Sequence, residues 1–297
     1  MMFRSLLALV VLVVLFQFVD IEDVGRAFSR ARLPYLLGAL VLVFANLGLQ
    51  IAKWRYFIRL VNPGNSNLEI AASLLFGISL GTITPGQIGE FGGRALRHRS
   101  LAPGLVVGLT VVDKLQMMCV LALGGVSSLF FLTHPFQELS VLIIALISVI
   151  CFAVFFGSGR LVRFVHRVRP CWMQHRHMKE FFEAIGLFRR RELLTSLVLS
   201  LAFYGVLFTQ MYLLLNAFEN VGPVEAFLGF AAMMFTKSLI PISLGDLGIR
   251  EASSVYFYSF CGVAESTSLS AALLLFAFNI LLPSLAGLLF IPKLSAR

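Results

Sequence analysis

The sequence has little charge. Asp, Glu, Lys and Arg make up 13% of the 297 residues, hydrophobic residues make up 59%, and the mean hydropathy is +0.90. Soluble domains carry about a quarter charged residues. The only sizeable polar segment is 157–192. This composition excludes a soluble globular protein with its own polar surface. It predicts that residues 1–297 form a single transmembrane domain.

Several chemical motifs are also missing. No G-x-x-x-x-G-K-[ST] phosphate loop and no H-E-x-x-H zinc motif occurs. The few cysteines are scattered and form no disulfide framework. Cys171, His175 and His177 are candidate metal ligands by residue type, but no fourth ligand with suitable spacing lies nearby. We therefore expect no cofactor, no metal and no enzyme activity.

Positive charge is concentrated in one place. The net charge is +9, and nine of the 24 Lys and Arg residues lie in segment 157–192. In a membrane protein such a segment marks the cytoplasmic side. We interpret 157–192 as a cytoplasmic basic loop and expect no nucleic-acid binding. Specific recognition of anionic lipid by this loop is the less favoured alternative.

Long apolar runs predict about six full crossings, since a helix needs roughly 20 apolar residues to cross a bilayer. They are Met2–Val19, Tyr35–Ala52, Pro103–Leu132, Leu139–Phe156, Leu193–Ala217 and Leu269–Ile291. The first resembles a signal sequence, but no small-x-small cleavage site follows Phe18. A retained signal-anchor helix is the favoured interpretation.

Two further apolar stretches, Leu68–Ile83 and Glu225–Ile242, are short for a crossing. Each ends at a Pro/Gly turn that a second, less apolar stretch follows. With an offset of 159, residues 76–89 align on 235–248, and six of fourteen positions are identical. The same offset aligns the long runs that precede them. We infer an internal repeat, 34–132 and 193–291.

The positive-inside rule sets the orientation of the two repeats. Basic residues place 53–69, 94–99 and the C-terminal tail inside with the basic loop, whereas 133–138, 218–223 and 262–268 contain no Lys or Arg. The stretches 68–99 and 225–262 then become re-entrant hairpins from opposite sides, in inverted repeats, and both termini are cytoplasmic. Segment 20–34 disagrees, because it falls outside with Arg26, Arg30 and Arg32.

Inverted repeats with broken helices are typical of transporters, whose substrate site lies where the breaks meet. Residues 84–87 predict a helix start, with Thr84 as the cap, Pro85 first and Gln87 three after the cap. Residues 243–246 repeat the pattern. Helix N-termini carry free N–H groups that suit phosphate. The structural alternative is that these are only satisfied caps, with the glycines serving close packing.

Ionisable residues at membrane depth are rare and functional by default. Glu90 and Arg94 share a helix face at i,i+4, whereas the adjacent Asp113 and Lys114 each need a partner elsewhere. The predicted substrate-binding residues are Thr84, Gln87, Glu90, Arg94, Asp113, Lys114, Lys237, Ser243, Asp246, Arg250 and Glu251. The predicted structural breaks are Pro85, Gly86, Gly89, Pro241, Gly245 and Gly248.

The stretches "TPGQIGEFGGRALRHR" and "PISLGDLGIREASSVYFY" resemble the two signatures of the lysylphosphatidylglycerol synthase transmembrane-region family. That family includes the flippase domain of bacterial multiple peptide resistance factors and stand-alone relatives. The resemblance covers about residues 5–292. Two departures concern Asp246, where relatives often have Asn or a small residue, and Asn279, which stands in a helix that often carries a basic residue.

The resemblance implies an all-α, polytopic protein of a bacterial or archaeal cytoplasmic membrane. It implies a flippase or scramblase for an anionic or aminoacylated phospholipid or a polyprenyl-phosphate-linked sugar, driven downhill or by ions. Members that transfer aminoacyl groups carry a soluble C-terminal domain, and the sequence up to Arg297 contains none. We therefore expect no synthesis of lysyl-lipid. The alternatives are a membrane partner of a synthase or glycosyltransferase, an intramembrane lipid-modifying enzyme and, less favoured, a soluble-ion transporter. The sequence is also compatible with an oligomer.

Overall fold

The computed structural model describes residues 31–98, 100–132, 175–240 and 247–290. Their regular structure is helical. The helices, in chain order, are α1 (Leu33–Val61), α2 (Asn67–Thr82), α3 (Gly89–Arg97), α4 (Pro103–Leu132), α5 (Arg176–Gly186), α6 (Arg190–Phe218), α7 (Pro223–Leu239), α8 (Ile249–Ser259), α9 (Glu265–Phe276) and, after a π-helical turn at Ala277–Leu281, α10 (Leu282–Leu288).

Among the described residues, four helical units are long and apolar enough to cross a membrane. They are α1, α4, α6 and the continuous unit Glu265–Leu288. The 30 residues of α4 reach about 45 Å at 1.5 Å per residue, more than the roughly 30 Å hydrocarbon core. Four predicted crossings are thereby confirmed. The other two, Met2–Val19 and Leu139–Phe156, lie outside the described residues.

One predicted boundary is wrong. We expected the crossing to end at Ala52 and placed Lys53 in a cytoplasmic loop, but α1 continues to Val61 and Lys53 is buried within it. A charged residue is tolerated inside the protein when it is paired, and Lys53 lies 2.7 Å from a carboxylate oxygen of Asp113.

Helices α2 and α3 form a tight hairpin. Ser66 caps α2 by accepting a hydrogen bond from the Glu69 N–H at 3.1 Å. In the hairpin the two backbones nearly touch, since a Cβ at Gly93 would lie 2.8 Å from the Cα of Gly77. Helix α2 has 16 residues, about 24 Å at 1.5 Å per residue, so it is too short to cross alone.

The connection from α2 to α3 departs from the predicted helix start. Helix α3 begins at Gly89, four residues later than Pro85. Gly86 and Gln87 instead take left-handed conformations, with φ of 59° and 57°. Thr84 still acts as a cap, because its Oγ1 accepts the Gly89 N–H at 2.7 Å. Thr84 therefore caps α3 across the turn formed by residues 85–88.

Helices α7 and α8 form a second hairpin. Its connection includes residues 241–246, which lie outside the described residues. Four of the residues predicted from the sequence belong to this segment: Pro241, Ser243, Gly245 and Asp246. At the start of α8, Gly248 has a φ of 87° and donates its N–H to Glu251 Oε2 at 2.7 Å. Tyr258 packs against Gly229 and donates to the Ala226 carbonyl at 2.9 Å.

The element order long–short–short–long occurs twice, in α1–α4 and in α6–α10. The leading helices α1 and α6 pack together and are antiparallel. The Arg32 N–H donates to the Ala217 carbonyl at 2.8 Å, Gln210 donates to the Ala39 carbonyl at 2.8 Å, and Lys53 donates to Ser200 at 2.7 Å. This is the orientation that inverted repeats require, and the repeat itself stays a prediction.

Two of the contacts between the halves correspond to each other when each helix is replaced by its counterpart in the other half. Helix α4 packs on α7 of the other half, and α10 packs on α2 in return. Both pairs use small residues: Gly125 of α4 lies against Phe235, and Gly287 of α10 lies against Leu75. Two apolar cores lie in the bundle, one around Trp54 and Phe57 and one around Phe230 and Tyr258, and each includes residues of both halves, such as Leu193 in the first and Val120 in the second.

Helix α5 lies on the N-terminal part of α4, where Ala184 faces Gly108. Glu180 accepts the Gly104 N–H at 3.3 Å and hydrogen bonds from Arg176 and His177. Burial alone would raise the pKa of Glu180, but these hydrogen bonds lower it below its usual value. Part of the predicted basic loop, 175–192, is thereby attached to the membrane-spanning bundle.

Two adjacent glycines test the hairpin contact. Gly93→Ala places a Cβ against the Gly77 backbone, so we expect it to destabilise the protein by about 1–3 kcal/mol, as overpacking does. Gly92 is the matched control, because a Cβ there meets nothing within 4 Å and Ala favours a helix over Gly by about 1 kcal/mol. Thermal unfolding in detergent measures both. Equal stability of the two variants would contradict the hairpin packing.

Candidate functional site: a charged cavity between the two halves

A cavity of about 400 Å³ lies between the two halves. Residues of α1 to α4 line one part of it, and residues of α6 to α9 and the π turn line the other. Apolar side chains such as Phe91, Met118 and Leu207 form much of the wall. The polar lining residues are Gln50, Thr82, Gln87, Glu90, Lys114, Lys237, Ser238, Arg250 and Asn279.

Beside this cavity, five charged side chains form one continuous ion-pair network. Asp113 lies between Lys53, 2.7 Å from Oδ1, and Arg94, 3.0 Å from Oδ2. Glu90 pairs with Arg94 through Oε1 and with Lys114 through Oε2. The predicted Glu90–Arg94 pair is confirmed. The network also supplies the separate partners that Asp113 and Lys114 were expected to need.

Surrounding groups hold the network in place. The Arg94 guanidinium stacks on Trp54, 4.4 Å from the ring centroid, and Trp54 donates to Ser73 of α2 at 3.1 Å. Lys53 donates to Ser200 of α6 at 2.7 Å. Because ion burial costs several kcal/mol per charge, these contacts are needed to keep the network inside the protein. They join α1, α3 and α4 to a helix of the other half.

The first break contributes directly to the cavity wall. Gly86 and Gln87 line the cavity, and Lys114 Nζ lies 3.5 Å from Gln87 Oε1. A residue other than glycine with positive φ is uncommon and costs free energy. Thr84 is turned inward on its own hairpin, bonding Gly89 and the Leu80 carbonyl, and does not line the cavity.

The second half contributes Lys237 and Arg250 to the wall. Arg250 donates from Nη2 and Nε to Glu251 Oε1, at 2.7 and 3.1 Å, and its guanidinium carbon lies 4.8 Å from the Phe276 ring centroid. Glu251 is fully buried behind it, with its other oxygen on the Gly248 N–H. The predicted residues Ser243 and Asp246 lie outside the described residues.

An amide cluster closes another side of the cavity. Asn279 lies in the π turn, accepts a hydrogen bond from Asn46 of α1 and donates to Gln210 of α6 at 2.7 Å. Gln210 continues the chain to the Ala39 carbonyl. π turns in α-helices are rare and often occur at functional sites. Asn279 therefore links both leading helices to the last one.

Sequence analysis missed three polar residues of α1, namely Asn46, Gln50 and Lys53. They stand at spacings of four and three residues, which places them on one face of a helix. Such a polar face in an otherwise apolar crossing indicates a buried, functional surface. That spacing was the available signal. The predicted crossing ended at Ala52, which separated Lys53 from Asn46 and Gln50 inside the crossing.

Some chemistries find no support in the described part of the chain. No group of three His, Cys, Asp or Glu side chains there could hold a metal ion. We expected no G-x-S-x-G pattern of hydrolases in the sequence, and that expectation is wrong, because residues 77–81 match it. However, they lie inside α2 and not on the strand–turn–helix that this pattern needs. Ser79 donates to the Ser284 carbonyl at 2.6 Å, away from the charged network.

Helices long enough to cross a bilayer, short hairpins and a cavity with buried charges define an all-helical, polytopic membrane protein. The sequence profile of the family described as lysylphosphatidylglycerol synthase TM region matches residues 1–287. The chain belongs to this family, and the expected resemblance is confirmed. Comparison with curated proteins and with solved structures gave no match.

A double-mutant cycle tests the ion-pair network. Asp113→Asn leaves Lys53 and Arg94 short of a carboxylate, so we expect it to lower the free energy of unfolding by about 3–5 kcal/mol, as breaking a buried pair does. Lys53→Met alone also destabilises. The double variant should lose clearly less than the sum of the two, because no unpaired charge remains at that contact. Unfolding in detergent measures the cycle, and strict additivity would rule out the contact.

Proposed function

We propose that this protein is a membrane lipid translocase, a flippase or scramblase that moves a phosphate-bearing lipid between leaflets of a cytoplasmic membrane. One observation carries the proposal: a cavity lined by both halves of the chain contains cations from each half, Lys114 from the first and Lys237 and Arg250 from the second. Family membership supports a lipid-related role in the membrane. The proposal includes no chemical conversion of the lipid.

The apolar and polar parts of the wall suit the two ends of a lipid. Phosphate needs charged or N–H donors, whereas an acyl or prenyl tail stays in contact with hydrocarbon. Met118, which lines the cavity, is 45% exposed, so the cavity has an apolar side toward the surface of α4. A head group entering laterally there from the cytoplasmic leaflet reaches Lys114 while its tail remains outside.

Differences in exposure and pairing support different tasks for the cations. Arg94 has 3% of its side chain exposed and is held by two carboxylates, so its role is to position Glu90 and Asp113. Lys114 is 34% exposed and is available to a phosphate oxygen. Donor capacity also remains on Arg250, because a guanidinium has five N–H groups and the contacts to Glu251 use two of its nitrogens.

Transfer to the other leaflet requires the cavity to open on the other side. The halves meet at the antiparallel α1–α6 contact and at the α4–α7 and α2–α10 contacts. Rocking of one repeat against the other is a common way for inverted-repeat transporters to alternate access. Because phosphate contacts come from both halves, such rocking would loosen them together. Transport would be downhill or ion-coupled, in keeping with the missing phosphate loop.

A flip assay in proteoliposomes tests the proposed function. Labelled phosphatidylglycerol, its lysylated form and a labelled polyprenyl-phosphate sugar are reconstituted separately, and a membrane-impermeant quencher bleaches the outer-leaflet label. We expect bleaching beyond the outer half for at least one lipid. Glu90→Gln and Lys237→Ala should slow it by about tenfold or more, since each alters charge in a site of low polarity.

Matched controls come from helix α5, outside the cavity. Glu183→Gln and Lys179→Ala make the same chemical changes at exposed positions, and we expect wild-type rates from both. If no lipid moves above empty liposomes, the translocase proposal fails. The partner hypothesis would then be tested by pull-down of a lipid-modifying enzyme.

A further inference from the structure

Cations outnumber carboxylates in and around the cavity. In the network, Lys53, Arg94 and Lys114 face two carboxylates, so one formal positive charge remains. Arg250 and Glu251 cancel each other. Lys237 adds one more cation to the wall. By themselves, the ion pairs of the described residues leave a balance of +1, which comes from the network.

The carboxylates are also less exposed than Lys114, although Glu90 forms part of the cavity wall. Glu90 and Glu251 have 5% and 0% of their side chains exposed. Both oxygens of Glu90 are taken by Arg94 and Lys114, and both oxygens of Glu251 by Arg250 and the Gly248 N–H. An ammonium group entering the cavity would meet Lys114 before it met a carboxylate, because Lys114 is the more exposed.

We propose that the cavity selects lipids by charge: it accepts a head group that is anionic at the phosphate and neutral elsewhere, and it rejects an aminoacylated one. This inference rests on the proposed function and narrows it. A lysylated phosphatidylglycerol carries two ammonium groups and one phosphate, hence a net charge of +1, whereas phosphatidylglycerol carries −1. Only the latter offsets the positive balance of the site.

Neutral polar residues define the remainder of the head group. Gln50, Thr82, Gln87, Ser238 and Asn279 line the wall between the cations. Their amides and hydroxyls both donate and accept hydrogen bonds, which matches a hydroxyl-bearing group. Glycerol in phosphatidylglycerol and sugar in a polyprenyl-phosphate lipid share this chemistry. The site therefore fits a lipid phosphate that carries hydroxyl groups, from either source.

The test compares four labelled lipids in the same proteoliposome assay: phosphatidylglycerol, a polyprenyl-phosphate sugar, zwitterionic phosphatidylethanolamine and lysyl-phosphatidylglycerol. We expect one or both of the anionic lipids to flip at least about tenfold faster than the lysylated one. The reason is that the interaction free energy between two charges is much larger inside a protein than in water. The two anionic arms identify the source of the phosphate.

A single isosteric change should alter the preference. Gln50 lines both this cavity and a smaller one that contains Lys53, Arg94 and Asp113. Gln50→Glu adds a carboxylate beside the excess charge without changing shape, so we expect the ratio of anionic to lysylated rates to fall by about tenfold. Gln50→Met, which adds no charge, should change all rates by a similar factor. Ser238→Asp, with Ser238→Asn as its control, gives the same comparison from the other half if Gln50→Glu does not fold.

The outcomes separate the inference from the proposed function. If lysyl-phosphatidylglycerol flips as fast as the anionic lipids or faster, the protein is a translocase but charge selection is wrong. Equal rates for all four lipids would likewise overturn selection. If none of the four moves, the proposed function fails and the inference fails with it. A faster anionic lipid, together with a reduced ratio in the carboxylate variants, supports both.

Discussion

The five-membered ion-pair network is the constraint on which the rest of the structure depends. Charges removed from water cost several kcal/mol each unless their partners and hydrogen bonds are all in place. The network meets this cost with residues from three helices, and Lys53 adds a bond to Ser200 of the opposite half. Helix α3, only nine residues long, is thereby held beside α1 and α4. Its position fixes Gln87 and Lys114 at the cavity wall.

Small residues make this arrangement possible. The α2–α3 hairpin is thin because Gly77 and Gly93 bring the two backbones into contact, and the α4–α7 and α2–α10 contacts between halves also use glycine. In a bilayer, helix association relies on close packing and not on exclusion of water. The two halves can therefore pack closely around a cavity through these glycine contacts.

The four long helices follow from sequence patterns, because a helix that crosses a membrane needs a long apolar run. The internal repeat stays a prediction. Local geometry at the break did not follow. Thr84 was expected to cap the next residues, but the left-handed pair Gly86 and Gln87 moved the helix start to Gly89. A capping pattern in a sequence identifies the residue that caps a helix. It does not give the number of residues between that residue and the start of the helix.

The site was predicted in part for a similar reason. Glu90, Arg94, Asp113 and Lys114 stood out as charges in apolar surroundings, and the structure joins them. Lys53 did not, because a lysine near the end of an apolar run also fits a helix terminus. Pairing with Asp113, which is 60 positions away in sequence, decides its location. Single-sequence patterns carry no information on such distant partners.

The π turn at Ala277–Leu281 sets the rotational phase of the last helix. It adds one residue to a turn, so every residue of α10 is rotated by about 100° relative to an uninterrupted α-helix. As built, Ser284 and Gly287 face α2, where the Ser79 hydroxyl and the Leu75 backbone leave no space for a larger side chain. If the same residues formed an uninterrupted α-helix, Pro283 and Ala286 would occupy those two places, and Ser284 and Gly287 would be turned away from α2. The bulge thus works as a one-residue spacer that keeps Ser284 and Gly287 toward α2 and leaves Leu285 and Leu288 exposed, at 53% and 50%. Deleting one residue within Ala277–Leu281 would convert the turn to a regular α-helix and leave α10 in its present rotational phase.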